Sequence, residues 1–289
     1  MKYFNITLLF ILTNITIYSQ NREVVITPTK LTDQIYMLKG QGGNIGLFIG
    51  DDAVFMIDDQ FAPLTPKILK AIKEITDKPV SYLMNTHWHG DHTGGNENME
   101  KEGALIVAHD NVRKRMSVDQ VIRGRTRKAS PKSALPVITF SDDMMMHINN
   151  DDILITHIHN AHTDGDAIIY FTKNNIMHTG DAYFQGKFPY MDLDSGGSIE
   201  GYIAGIQKMI LLADDDTKII PGHGDVSSKK ELISYLKMLQ DLKMKVEKEK
   251  NKGKTLEEII LNKFITKGYE SYSGWINEER IKTAIYMSL

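Results

Sequence analysis

The amino-acid sequence predicts a layered α/β fold. Short apolar runs separated by glycine and aspartate turns alternate with amphipathic helical patterns, and the order strand series, helix, strand series, helix occurs twice. Around residues 54–108 the pattern reads strand, helix, strand, loop, helix, strand, which is typical of layered α/β proteins. Two such halves could stack as two sheets covered by helices on both outer faces, an arrangement that the pattern permits without requiring.

Composition places the chain among ordinary globular proteins. Its 289 residues are 42% hydrophobic and 25% charged, with a formal net charge of −3. No strongly basic face is implied, so we expect no nucleic-acid partner. The chain has no cysteine, which excludes disulfides, thiolate metal ligands and a cysteine nucleophile.

The first 20 residues are predicted to be a signal peptide. Lys2 supplies a positive end, residues 6–17 are mostly apolar, and Ser19 offers a small residue near the cleavage position. An N-terminal helix of the fold is the alternative. We therefore expect a mature domain over residues 21–289 that is periplasmic or secreted, with no stable membrane insertion after cleavage.

The first half of the mature chain predicts a β-meander followed by alternating helices and strands. Asp58 and Asp59 follow the last meander strand, where one of them either supports a metal site or simply makes a turn. The predicted strands are 23–26, 35–38, 45–49, 54–57, 80–84 and 104–108, and the predicted helices are 63–76 and a helix opening near Asn96.

Residues 110–135 form a basic stretch with eight lysine and arginine residues. We expect an exposed helix followed by a mobile loop. A solvated basic face is the simpler interpretation, and a basic rim for an anionic substrate is the alternative.

The second half resumes the short strands and ends in helices. Ser198 is expected to cap an amphipathic helix, and Ser227 or Ser228 a long lysine-rich one. The predicted strands are 136–140, 144–148, 153–158, 167–171, 176–179 and 218–220, and the predicted helices are 198–213, 227–252 and one or two within a C-terminal extension of about 255–289.

Residues 86–95 carry the densest set of metal donors. His87 and His89 are two residues apart, so an extended backbone can point both side chains to one face. Gly90 then permits a sharp turn that brings Asp91 and His92 to a second, adjacent position. Imidazole and carboxylate groups suit Zn²⁺ and similar ions.

Three later donors stand beside glycines at the ends of predicted strands, where ligand-binding loops belong. They are His162, Asp181 and His223.

The other histidines of the chain have simpler interpretations than metal binding. His157 and His159 share a strand face and are favoured as hydrogen-bonded structural residues, although one could reach the cleft, and His109, His147 and His178 are expected to be structural or exposed.

With these motifs together, the chain resembles the metallo-β-lactamase superfamily over roughly residues 30–225. The resemblance implies an α/β fold of the four-layer αββα sandwich type, with its metals at one edge. It also implies one metal held by His87, His89 and His162, a second held by Asp91, His92 and His223, and a bridge between them through Asp181.

Two positions depart from the best-known zinc β-lactamases. Those enzymes commonly have a cysteine where Asp181 stands, whereas aspartate there resembles glyoxalase II and other di-metal hydrolases. Many of them have a lysine at the position of Phe184, and here Lys187 lies further along. The stretch 180–197 resembles that of exported penicillinase-like proteins, which have the aspartate-type site.

The resemblance implies a zinc-dependent hydrolase of a small-molecule substrate. In such an enzyme a metal-bound hydroxide attacks an amide- or ester-type carbonyl, which includes the carbonyl of β-lactams. Asp91 is expected to orient that hydroxide and to shuttle its proton. Two Zn²⁺ are the expected cofactors, with iron or manganese as alternatives. Alternative functions are a thioesterase or lactonase of the glyoxalase II type, an iron-dependent oxidoreductase and a non-catalytic binding protein. The sequence does not indicate an oligomeric state.

Overall fold

A computed structural model of the protein describes residues 23–122 and 124–289. The predicted signal peptide, residues 1–20, lies outside the described residues. Within the described ranges the strands form two sheets and one separate two-stranded ribbon. None of the described helices is both long and apolar enough to cross a membrane.

The first sheet has seven strands in the order β1-β2-β3-β4-β5-β6-β9. Its first four strands are antiparallel, as the predicted meander requires, and β4, β5, β6 and β9 are parallel. The strands are β1 (Thr27–Lys30), β2 (Ile35–Lys39), β3 (Ile45–Ile49), β4 (Val54–Ile57), β5 (Val80–Asn85), β6 (Leu105–His109) and β9 (Ile138–Phe140).

The second sheet has six strands in the order β10-β11-β12-β13-β14-β15. All neighbours are antiparallel except β13 and β14, which are parallel. The strands are β10 (Asp143–Ile148), β11 (Asp151–Ile158), β12 (Asp166–Phe171), β13 (Ile176–His178), β14 (Lys218–Ile220) and β15 (Ser227–Ser228).

The helices cover the outer faces of the two sheets. Proline early in α1, and serine, threonine or asparagine caps on α5 to α8, mark where those helices begin. The helices are α1 (Thr65–Lys73), α2 (Gly90–Thr93), α3 (Asn96–Lys101), α4 (Asp110–Met116), α5 (Ile199–Leu212), α6 (Lys229–Asn251), α7 (Leu256–Leu261) and α8 (Glu278–Ser288).

Three apolar clusters separate four layers. The central cluster joins the facing sides of the two sheets, where Phe48 meets Phe171 edge-on at 4.9 Å between ring centroids. A second cluster lies between the first sheet and helices α1 and α3, and the largest packs the second sheet against α5 to α8. The expected αββα sandwich is therefore confirmed, because each sheet buries both of its faces.

Most predicted elements are confirmed to within one or two residues. Strands β3, β4 and β14 have the predicted bounds, and Ser198 and Ser228 cap α5 and α6 as expected. Two helices, α7 and α8, occupy the C-terminal extension.

The predicted strand at 23–26 is wrong. The first strand lies later, at Thr27–Lys30, and its four residues are all exposed. Ile26 is buried in the cluster with α1, whereas Val25 is 72% exposed, so the apolar run packs as irregular chain. Strand β1 at the edge of the sheet exists because its backbone pairs with β2. The pattern of apolar residues carries no information about that backbone pairing.

Two further predictions need correction. The helix predicted at 63–76 is shorter, because Ala62–Leu64 form a 3₁₀ turn and α1 spans Thr65–Lys73. The mobile loop predicted after α4 instead contains an antiparallel ribbon of β7 (Gln120–Ile122) and β8 (Arg125–Arg127). Its strands are three residues each, too short for a periodic signal.

Candidate metal centre

The four segments that carry the predicted donors each follow a strand and meet at one edge of the sandwich. His87 and His89 occupy the turn after β5, and Asp91 and His92 lie in α2. The segments that follow β11, β13 and β14 contribute His162, Asp181 and His223 respectively.

All seven predicted donors come together. Within each of three groups, one ligand atom from every member lies within 4.8 Å of the others. The groups are His87, His89 and His162; His87, His92 and Asp181; and Asp91, His92 and His223. Distances of this size suit ions that bind nitrogen and oxygen ligands at about 2.0–2.2 Å.

The two carboxylate oxygens of Asp181 face different imidazoles. Its Oδ2 lies 3.5 Å from His162 Nε2 and 3.9 Å from His87 Nε2. Its Oδ1 lies 3.1 Å from His92 Nε2 and 3.4 Å from His223 Nε2. Asp181 therefore stands between the two predicted sets, in the position that a bridging ligand needs.

Hydrogen bonds fix the orientation of four of the five imidazoles. His92 Nδ1 lies 2.7 Å from Asp58 Oδ2, and His89 Nε2 lies 2.8 Å from Asp192 Oδ2. His162 Nδ1 donates to the Tyr190 carbonyl at 2.6 Å, and His87 Nδ1 lies 3.1 Å from Thr86 Oγ1. Each bond leaves the other ring nitrogen facing the site, which is how metal-binding histidines are commonly held.

Mutual charge sets the protonation of the second donor set. Burial would lower the pKa of His223, but the neighbouring carboxylates of Asp181 and Asp91 raise it to about 9. Burial would raise the pKa of Asp91, but the charge of His92 and the hydrogen bond from His223 lower it to about 2. Burial would lower the pKa of His92 too, but the charges of Asp181 and Asp91 raise it well above its usual value. Without a cation, both imidazoles of this set therefore carry a proton beside the two carboxylates.

The first donor set has the opposite tendency. Burial, followed by the neighbouring His89, lowers the pKa of His162 to about 4. Burial also holds the pKa of His87 well below its usual value. Both imidazoles are thus neutral near pH 7, the state in which a ring nitrogen can bind a cation.

Polar atoms without partners indicate what the site is suited to hold. Among the described residues, His87 Nε2, His92 Nε2 and Asp181 Oδ1 are buried and make no hydrogen bond. Buried polar atoms are costly unless they are satisfied. A pair of divalent cations would satisfy all three, so the residues present fit a di-metal centre.

A cavity of about 590 Å³ opens directly onto these donors. Asp91, Asp181 and His223 line it, and Phe184 stacks on the His223 ring with centroids 5.4 Å apart. Tyr190 stacks in the same way on His89, at 5.9 Å. The volume lies within the range of sites for small molecules.

The remaining histidines lie outside the donor groups. His157 is buried and hydrogen-bonded to the Asp166 carbonyl, and it stacks on His109, in agreement with a structural role. His178 donates to the Asn44 carbonyl across the two sheets, and His147 is exposed beside Asp152. Tyr183, close to Asp181 in the chain, is buried and hydrogen-bonded to Ser227.

Sequence reasoning missed several residues around the site. Asp192, which orients His89, belongs to an irregular segment in which no periodicity marks one aspartate over another. Trp275 and Ile276 line the cavity from the C-terminal extension, whose role the sequence does not indicate. A search for aromatic residues among the C-terminal turns is the one signal that could have found Trp275.

Two arginines from the basic stretch contact residues 86–95, which we call the donor loop. Trp88 is buried, and the guanidinium groups of Arg115 and Arg127 lie 5.8 Å and 5.2 Å from the centre of its ring. Arg127 also donates to the Trp88 carbonyl at 3.2 Å, and Arg115 pairs with Asp164 at 2.7 and 2.8 Å. The basic residues therefore include structural contacts, beyond the solvated face that was expected.

Comparison with known proteins gives a consistent set of relatives. A family model described as the metallo-beta-lactamase superfamily matches residues 38–223. A hydroxyacylglutathione hydrolase of Pelagibacter ubique is 28% identical over 158 residues, which cover 53% of this chain and 56% of that protein. The chain thus matches little more than half the length of that relative.

Two other relatives are matched over more of their length. A beta-lactamase-like protein 2 homolog of Caenorhabditis elegans is 24% identical over 258 residues, 85% of this chain and 79% of that protein. A metallo-beta-lactamase type 2 of Bacteroides fragilis is 20% identical over 226 residues, 74% of this chain and 85% of that protein.

Solved structures agree on the fold. A metallo-beta-lactamase from Pontibacter korlensis superposes with a TM-score of 0.64 at 18% identity, covering 75% of this chain and 99% of that one. A stereoselective inverting sec-alkylsulfatase from Pseudomonas sp. gives a TM-score of 0.68 at 16% identity, covering 91% of this chain and 50% of that one.

Proposed function

The chain belongs to the metallo-β-lactamase superfamily, and from that premise we propose that it is a zinc-dependent hydrolase of amide- or ester-type carbonyl bonds. The observation that carries the proposal is the position of Asp181, with one oxygen towards His87 and His162 and the other towards His92 and His223. A carboxylate shared by two imidazole sets suits two ions rather than one.

The donors would divide between two zinc ions. His87, His89 and His162 would hold one, Asp91, His92 and His223 the other, and Asp181 would bridge them. When bound, such a pair supplies an activated water as the nucleophile and polarises the scissile carbonyl. The chain offers no thiolate ligand for this purpose, because it contains no cysteine.

Asp91 is the residue placed to handle a proton. It lines the cavity, and its Oδ2 lies 3.3 Å from His223 Nε2 and 3.7 Å from His92 Nε2. A carboxylate at the boundary between donors and cavity can orient the nucleophilic water and pass its proton to the leaving group. Phe184 and Tyr190 flank the donors and cover one face of the His223 and His89 rings respectively.

Two substrate types fit this site. The name of the Bacteroides fragilis relative supports β-lactam hydrolysis. Aspartate at position 181, and the hydroxyacylglutathione hydrolases among the relatives, favour a thioesterase or lactonase. The geometry of the donors serves both, since each reaction begins with attack on a carbonyl carbon.

A substrate panel on zinc-loaded protein tests the proposal. Nitrocefin, a lactone and a thioester are offered to the wild-type chain and to His89→Ala, with zinc counted by elemental analysis. We expect about two zinc ions per chain, hydrolysis of at least one substrate and its loss in the variant. Absence of zinc in protein supplied with it would reject the proposal.

We also propose that the protein acts outside the cytoplasm. The support is the basic, apolar and small-residue pattern of residues 1–20. Cell fractionation, with mass measurement of the mature N-terminus, tests this, and an uncleaved cytoplasmic chain would contradict it.

A further inference from the structure

We propose that the C-terminal segment 272–276 makes the cavity selective for substrates with a bulky apolar group beside the scissile carbonyl. This rests on the proposed function, because the carbonyl is taken to lie at the seven donors. The segment belongs to the C-terminal extension, outside the residues matched by the family model, 38–223.

Apolar side chains line the cavity beside the donors, and we call them the apolar wall: Phe61, Tyr190, Trp275 and Ile276. Tyr190 stacks on His89 at 5.9 Å, and Trp275 meets Tyr190 edge-on with ring centroids 5.0 Å apart. Trp275 is therefore separated from a metal donor by a single aromatic ring. Phe61 and Ile276 line the same cavity.

Part of this wall is exposed in the free protein. Trp275 is 59% and Phe61 is 38% accessible to solvent, although both line the cavity. Binding is favoured when an apolar group of the substrate covers apolar surface in a concave site, because that surface is then removed from water. A small or strongly hydrated substituent would leave that apolar surface in contact with water, so its binding would gain nothing from the wall.

The wall is held in place by the rest of the fold. Phe188 N–H donates to the Tyr272 carbonyl at 2.9 Å, and Ile276 is buried within the cluster under α6 and α8. Arg280 donates to the Trp275 carbonyl at 2.9 Å, with its guanidinium 5.6 Å from the centre of that ring. Trp275 is therefore presented on an anchored segment, as a selective contact requires.

Matched acyl substrates test selectivity. The zinc-loaded full chain is given phenylacetyl and acetyl compounds with one leaving group, in the bond class that the panel identifies. We expect kcat/KM to favour phenylacetyl by roughly 10–100-fold. Trp275→Ala should reduce that ratio about tenfold, and Trp275→Phe should retain most of it.

Phe264→Ala is the matched control. Phe264 is a second exposed aromatic residue of the C-terminal extension, and it does not line the cavity. Its removal should leave the ratio unchanged. Equal use of the two substrates by wild-type protein, or an unchanged ratio in Trp275→Ala, would overturn the inference while leaving the hydrolase proposal intact.

A binding measurement separates the two proposals. Ligand-detected NMR compares 4-phenylbutan-2-one with butan-2-one, neutral ketones that carry a carbonyl but cannot be hydrolysed. Tighter binding of the phenyl ketone that depends on Trp275, without hydrolysis of any substrate, would support the apolar wall and reject the hydrolase. Equal binding of both ketones would count against the wall.

Discussion

His92 and Asp58 are joined by a hydrogen bond of 2.7 Å in which neither side chain has any solvent exposure. Asp58 also accepts hydrogen bonds from the backbone N–H and the hydroxyl of Thr86, each at 2.8 Å. One aspartate thus fixes both a donor of the second set and the start of the donor loop. Of the two interpretations of Asp58 that the sequence left open, support of the site agrees with these contacts.

Replacing Asp58 should weaken the second metal position. In Asp58→Asn the amide nitrogen would face hydrogen-bond donors, and the negative charge opposite His92 would be lost. We expect zinc affinity at that position to fall about 10–100-fold, measured by competition with a chelator. Asp152→Asn is the control, because Asp152 also lies 2.7 Å from a histidine, His147, but both side chains are exposed. This variant should leave zinc affinity unchanged.

Gly222 is required for the position of Asp181. A Cβ at Gly222 would lie 2.0 Å from Asp181 Oδ1, a distance that no side chain tolerates. We therefore expect Gly222→Ala to displace the carboxylate that is proposed to bridge the ions, and to reduce zinc from the expected two ions per chain to one or fewer. Elemental analysis measures the count, and circular dichroism checks that the variant is folded.

Gly90→Ala provides the comparison for that variant. It lies in the donor loop, but the nearest atom to its added Cβ, in Arg127, is 3.6 Å away. This is ordinary van der Waals contact, so zinc content should stay near the wild-type value. Equal loss of zinc in both variants would contradict the proposed bridge.

Zinc binding should release a proton from His223. Its pKa is raised from 6.5 to about 9 in the metal-free chain, so folding gains stability from this group that is fully present below pH 6.5 and lost as pH rises through about 9. The ion must displace that proton, and also one from His92, whose pKa the carboxylates of Asp181 and Asp91 raise. We therefore expect apparent zinc affinity to increase roughly 10- to 100-fold per pH unit between those values.

Calorimetry in two buffers of different ionisation enthalpy measures the proton count. At pH 7.5 about two protons should leave with zinc binding, one from His223 and one from His92, and the metal-free protein should unfold more readily at pH 9 than at pH 6.5. Asp91, whose pKa is lowered to about 2, is ionised throughout this window and contributes no proton. Zinc affinity that does not vary between pH 6.5 and 9 would show that both His92 and His223 are neutral without the metal.

Arg127 should stabilise the fold through the donor loop. Its guanidinium lies 5.2 Å from the centre of the Trp88 ring, and the residue is half-buried. We expect Arg127→Ala to reduce the free energy of unfolding by about 1–2 kcal/mol in urea denaturation. Lys128→Ala removes the neighbouring charge, an exposed pair with Asp119, and should have no measurable effect.

The sequence contained enough information to predict most of the strands and the seven donors, and its resemblance to a known superfamily implied the order of the layers. Strand β11 and helix α5 follow periodic apolar patterns, because each buries one side against a sheet or helix. The donors from His87 to His223 stand near glycines at strand ends, where loops present side chains to ligands. Their role as ligands remains a prediction.

Only the tertiary structure decided what surrounds those donors. Asp192 lies 103 positions from His89 along the chain, and Asp58 lies 34 positions from His92. The wall formed by Trp275 and the arginine contacts on Trp88 likewise join segments far apart in sequence. Local patterns report which face of an element is buried, but a contact between distant segments depends on how the layers are stacked, which no local pattern records.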